Sequence, residues 1–206
     1  MDSSCGAAGE PAWVLGMPRF LDHATRANDV IDAASRLIVA GGVQGISLRA
    51  IAAELDLSPS TLSAQYTNRE RLVRVTAGGF IRRWAAQISA RTVREGALGH
   101  LPADESDLSG TRVWLAWCEV ARTAPDVGLV VGTALREERE SLAWALGYPP
   151  EDDVALLSAL IAGLREAICR SLDPLPVGLA RHLLAGEVDR VGLRGSARSS
   201  RSPLPR

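Results

Sequence analysis

A chain of 206 residues, 47% of them apolar, is long enough to bury a substantial core. No run approaches the roughly 20 apolar residues that span a bilayer. The first ten residues have no secretory-signal pattern, and Cys5, Cys118 and Cys169 are too few and too widely spaced for a disulfide framework, so a cytoplasmic protein with no membrane partner is expected. The net charge of −1 hides an asymmetry. Residues 24–94 carry ten arginines and five carboxylates, whereas residues 95–190 carry eight arginines and sixteen carboxylates, so only the first part suits a polyanion.

Residues 1–22 contain Gly, Pro and Ser without periodicity and read as a flexible leader, with Met17 a second candidate start. From Arg26 to Ala40, Val30, Ile31, Ala34, Leu37 and Ile38 fall on one helical face, and Gly41-Gly42 ends it. Ser47 is a good N-cap for a short helix carrying Leu48, Ile51, Ala52 and Leu55 at i, i+3, i+4 and i+7. Asp56-Leu57 makes a turn. Ser58-Pro59 restarts a helix that runs to about Tyr66, with Ser as the cap and Pro where its missing N–H costs nothing. Thr67 and Glu70 fit a capping box that opens a long helix to about Arg94.

Residues 95–107, rich in Gly, Pro and acids, read as a loop. Helical blocks follow at about 108–123, 126–146, 151–172 and 177–191, punctuated by Pro125, Gly147-Tyr148-Pro149-Pro150, Pro174 and Pro176. Residues 192–206 read as a disordered, basic, low-complexity tail. The expected fold is all-α: a three-helix head at 23–74 and a larger helical domain at 75–191.

The segment Ser47–Tyr66 has the dimensions of a helix-turn-helix. Leu48, Ile51, Ala52 and Leu55 hold the first helix to the core, and Leu57 and Leu62 anchor the turn and the second helix. Pro59, Ser60, Thr61, Ser63 and Gln65 are left outside, short enough for a major groove. Gln65 suits a bidentate contact to adenine, and Thr61 a phosphate or a thymine methyl.

The run from Ile51 to Leu72, IAAELDLSPSTLSAQYTNRERL, resembles the TetR family of transcriptional regulators. Ile51, Ala52, Ser58, Thr61, Leu62, Glu70 and Leu72 match the family's signature, and Leu57, Tyr66 and Arg69 are conservative replacements. Asp56 and Ser60 stand where the family has glycines, Ser63 where it has a tyrosine, and Gln65 where it has a histidine.

The resemblance implies a homodimer that binds a palindromic double-stranded DNA operator and, as a repressor, leaves it when an unidentified small-molecule effector binds. It places the DNA contacts at Arg26, Ser47, Leu48, Arg49, Ser58, Pro59, Ser60, Thr61, Ser63, Gln65, Tyr66 and Arg69. An activator would use the same head.

Phe80, Trp84, Trp114, Trp117, Cys118 and Trp144 are candidate pocket residues, although large apolar groups at helical spacing equally suit plain core packing. The stripe Leu157, Leu160, Ile161, Leu164 and Ile168, with Leu183 and Leu184, is the candidate dimer face; a protomer's own core would look the same.

No catalytic, metal or cofactor pattern assembles. His23, His100 and His182 are far apart in sequence, and Glu137-Glu138 and Asp152-Asp153 read as solvated helix surface. A small helical enzyme predicts clustered titratable groups, and a protein-binding scaffold predicts no DNA affinity.

Overall fold

The computed structural model describes residues 23–199, with side chains from 27 to 193. Eight α-helices follow in order: α1 (His23–Gly41), α2 (Leu48–Glu54), α3 (Pro59–Ser63), α4 (Arg69–Glu95), α5 (Leu108–Ala121), α6 (Pro125–Ala145), α7 (Glu151–Cys169) and α8 (Val177–Ser199). Short 3-10 turns sit at Val43–Gly45, Gly96–His100 and Glu105–Asp107, and no strand occurs among the described residues.

The first three helices and the start of α4 pack Val30, Ile38, Ile51, Leu62 and Leu72 into a common core. That core does not stop at the head. It continues along α4 through Phe80, Trp84 and Ile88 to Trp114 and Trp117 of α5 and Val127 and Val131 of α6. The division expected near residue 74 therefore falls inside one unbroken helix. α1 lies close against α4 because Gly79 has no side chain; a Cβ there would overlap Ile31. A second core joins α6, α7 and α8 through Leu142, Leu157, Ile161, Ile168 and Leu184.

Four expectations change. The N-cap of α4 is Asn68, whose side chain accepts from the Arg71 N–H, because Thr67 lies one residue too early to reach the helix's free donors. Residues 95–107 are not a surface loop throughout: Ala97, Gly99, His100 and Leu101 are buried under α4 and α8. The segment 192–199, expected in the tail, continues α8, and the rest of the tail and the leader lie outside the described residues. Glu138 and Asp153 are not solvated surface groups. Asp153 is buried in the first turn of α7, and Glu138 faces inward on α6.

Candidate nucleic-acid interface and body clefts

Local hydrogen bonds set the angle between α2 and α3. Ser47 caps α2 by accepting from the Ala50 N–H at 3.1 Å. The chain then reverses at Asp56, which adopts a left-handed φ of 53°, and Leu57 N–H returns to the Ala52 carbonyl at 2.8 Å. Ser58 caps α3 by accepting from the Thr61 N–H, and its hydroxyl lies 2.8 Å from those of both Ser60 and Thr61. Ser63 donates its hydroxyl to the Ser60 carbonyl. The outer face of α3 is thus a preorganised set of small hydroxyls.

α3 ends at Ser63, short of the expected Tyr66; on its outer face Pro59, Ser60 and Ser63 are exposed and Thr61 is half-buried, Gln65 is half-buried in the turn beyond it, and Arg49 is exposed on α2. Other proposed contacts lie elsewhere. Tyr66 is buried in the head's core, one helical turn beyond Leu62, where desolvation raises its phenol pKa against the lowering effect of Arg71. It packs behind α3 rather than facing outward. Leu48 packs against the same core. Arg69 donates to the carbonyls of Ile46 and Val43, which ties the start of α4 to the turn before α2. Arg26 lies in α1, but its side chain is outside the described residues. Arg71, which the sequence pattern did not single out, is exposed on the first turn of α4.

Two clefts adjoin in the body. One, of about 410 Å³, lies between α4, α5 and α6, with Trp84, Ile88, Trp114, Ala134 and Glu138 among its walls. The other, of about 530 Å³, is lined by Trp114, Cys118, Leu142, Ala159, Arg165 and Glu138. Trp114 and Glu138 belong to both. Trp84 stacks on Trp114 with ring centroids 5.9 Å apart, and Phe80 stacks on the other end of this row at 6.1 Å. Trp117 is buried but lines neither cleft, and Trp144 is half-exposed, away from the group. The indole N–H of Trp84 has no partner among the described residues. The Cys118 thiol is pushed up to about 12 by burial, so it packs as a small apolar group.

Below Trp114 and Trp84 sits a polar cluster that sequence spacing conceals. Arg165 of α7 is 2.7 Å from Glu138 Oε1 and 3.1 Å from Oε2, and its Nε and Nη2 also donate to the His100 carbonyl. His100 Nδ1 lies 3.1 Å from Glu138 Oε1, and its Nε2 lies 3.2 Å from the Thr92 hydroxyl. The Arg165 guanidinium also faces the Trp84 ring at 5.5 Å. Burial alone raises the Glu138 pKa, but the His100 hydrogen bond and the Arg165 charge overturn this and hold it at about 2. Its partners lie 38 and 27 residues away in sequence, so only packing brings them together.

The stripe expected at a dimer contact faces mostly inward. Leu157, Ile161, Leu164, Ile168 and Leu184 are buried in the protomer's own core, and Leu160 is half-buried. An i, i+3, i+4 pattern marks whichever face is most apolar, and here that face is spent on α6 and α8. Leu183 is exposed. Leu156 of α7 and Leu179 of α8 are exposed as well, and Ala159 and Gly163 of α7 are exposed at the second cleft.

Residues 30–76 match the family model described as bacterial regulatory proteins, tetR family. No curated protein matches the chain in sequence. Among solved structures, the chain is similar to a transcriptional regulator from Rhodococcus sp. Rha1, with a TM-score of 0.71 at 20% identity over 82% of this chain and 96% of that one. It is similar to a putative regulator from Saccharomonospora viridis solved in complex with choline, with a TM-score of 0.70 at 17% identity over 81% of this chain and 96% of that one. It also resembles the multidrug binding protein EbrR complexed with proflavin, with a TM-score of 0.53 at 20% identity over 79% of this chain and 99% of that one.

Proposed function

Starting from a chain that belongs to the tetR family of DNA-binding transcriptional regulators, we propose a homodimeric repressor that leaves a palindromic operator when a small molecule enters the body clefts. The observation that carries this reading is the course of α4. Its 27 residues, about 40 Å of helix, begin at the head, where Arg69 is tied to the turn before α2, and pass the wall of the first cleft at Trp84 and Ile88. A ligand that spreads α4 from α5 and α6 tilts the head through one rigid rod. It needs only a higher affinity for the tilted state.

The α3 face supports DNA reading: small hydroxyls allow close approach to a groove, and Gln65 and Arg49 supply longer donors. Trp84 and Trp114 contribute apolar wall to the first cleft. The choline and proflavin complexes of the two similar proteins agree with a small-molecule effector. The outward surface around Leu156, Leu179 and Leu183 is where we place the second protomer, whose two-fold axis sets the operator's symmetry.

The test is fluorescence anisotropy on the DNA upstream of the chain's own gene. Saturable, salt-sensitive binding is expected, and Thr61→Ala with Gln65→Ala removes the preference over unrelated DNA while the melting temperature stays within a few degrees. Equal binding to both DNAs by the unaltered protein refutes the reading.

A further inference from the structure

α7 carries a glycine for which its own protomer shows no use. Gly163 is exposed in the interior of the helix, and a Cβ there would meet nothing within 4 Å. Glycine inside a helix weakens it relative to alanine, and no intramolecular contact offsets that loss. α8 repeats the feature at Gly186, where a Cβ also has open space. Exposed leucines accompany both glycines, Leu156 on α7 and Leu179 and Leu183 on α8.

The charges on this side of α7 are disposed about a centre. Asp152 in the first turn and Arg170 at the C-cap stand on one side of the helix, because their separation of about 27 Å is close to five whole turns. Both are exposed, and neither side chain has a partner among the described residues. Ala159 and Gly163 share that side, at equal steps before and after Ile161, and Asp152 and Arg170 lie at equal, longer steps from it. Turned end for end about Ile161, α7 therefore sets an acid over a base at each end and small residues over small residues in the middle. No like charges meet. Self-complementarity of this kind is what a two-fold axis requires. On α8 the same operation, centred between Leu184 and Ala185, sets Leu183 over Gly186. Ile161 and Leu184 belong to one core, so both helices accept a single axis.

We propose that α7 pairs antiparallel with α7 of a second copy of this chain, crossing at Ala159 and Gly163, with Asp152 of each copy paired to Arg170 of the other. The proposal rests on the homodimer reading above and names its contact. Small residues at the crossing let the helix axes approach to about 8 Å. At a crossing angle of about 20°, the axes have parted sideways by only about 5 Å at the level of the charges, within the reach of an arginine and an aspartate. Ala159 and Gly163 also line the second cleft, so a molecule lodged there lies against the contact between copies.

The test is sedimentation equilibrium of the full chain over a concentration series at neutral pH and low salt, with circular dichroism to check the fold. Gly163→Leu is expected to weaken the dimer at least tenfold while the helical signal is kept, because the new side chain has room in the protomer but not at the crossing. Should that variant lose its helical signal, Ala159→Leu enlarges the same crossing. Asp152→Arg and Arg170→Asp each set like charges opposite one another and weaken the dimer at least fivefold. The two together restore its affinity to within about threefold of the unaltered chain. A dimer unmoved by the enlarged crossing, or charge reversals that do not rescue one another, overturn the proposed contact and leave the homodimer standing. An unaltered chain that stays monomeric throughout the series overturns both.

Discussion

Replacing Arg165 by methionine tests whether the cluster beneath the tryptophans holds the body together. Arg165 is 2% exposed and bridges α7 to Glu138 on α6 and to the His100 carbonyl. Removing it leaves a buried carboxylate short of its cation and a backbone acceptor short of two donors. The depression of Glu138 from 4.5 to about 2 corresponds to about 3 kcal/mol favouring the charged folded form. His100 supplies part of this, but the lost carbonyl bonds add to the cost, and removal of one partner from a buried pair usually costs about 3–5 kcal/mol.

The expected loss is therefore about 3 kcal/mol at pH 7.5, read from urea unfolding at fixed protein concentration. The pH dependence follows from the direction of the shift. A carboxyl depressed in the folded state contributes stability above its unfolded value, and this is lost as pH falls from about 5 toward 2. In Arg165→Met the folded carboxyl takes up its proton more readily, so the gap to the unaltered protein narrows on going to pH 4. Glu138→Gln together with Arg165→Met removes both charges and recovers at least half of the loss. A gap below about 1 kcal/mol at pH 7.5, or one that does not change with pH, refutes the account.

Asp56 holds a left-handed φ of 53°, which glycine adopts without strain. Asp56→Gly is thus expected to be neutral or to stabilise by up to about 0.5 kcal/mol, and Asp56→Val to cost about 1–2 kcal/mol. Thermal denaturation measures both, and a Gly variant weaker by more than about 1 kcal/mol contradicts the turn. Gly99 lies against α4 so closely that a Cβ would stand 2.5 Å from the backbone of Arg91 and Thr92. Gly99→Ala forces the 95–107 segment to move and should cost about 2 kcal/mol, while an unchanged melting temperature would mean that this segment is not pinned.

The head was legible because its signals are local. Ser47, Ser58 and Pro59 cap and start helices within three residues of where they stand, and the apolar spacing of Leu48 to Leu55 names the buried side of α2. Even there, Tyr66 and Arg69 show the limit. Both are polar-tipped residues at the edge of the motif, and only packing sends one inward and bends the other back onto the Ile46 carbonyl. In the body, the tryptophans were found but not sorted. Trp84 and Trp114 stack at the clefts, Trp117 fills the core and Trp144 faces solvent, although all four have similar sequence surroundings.

What the sequence determined by itself is the all-helical order, the caps of α2 and α3, and the contrast in charge between a basic first part and an acidic second part, because helix signals and net charge depend on near neighbours and sums. What only the tertiary structure decided is which apolar face of α7 and α8 is spent inside the protomer, and that Thr92, His100, Glu138 and Arg165 meet. Those outcomes depend on how helices far apart in the chain pack, since a buried charge is tolerated only where a distant partner arrives to satisfy it.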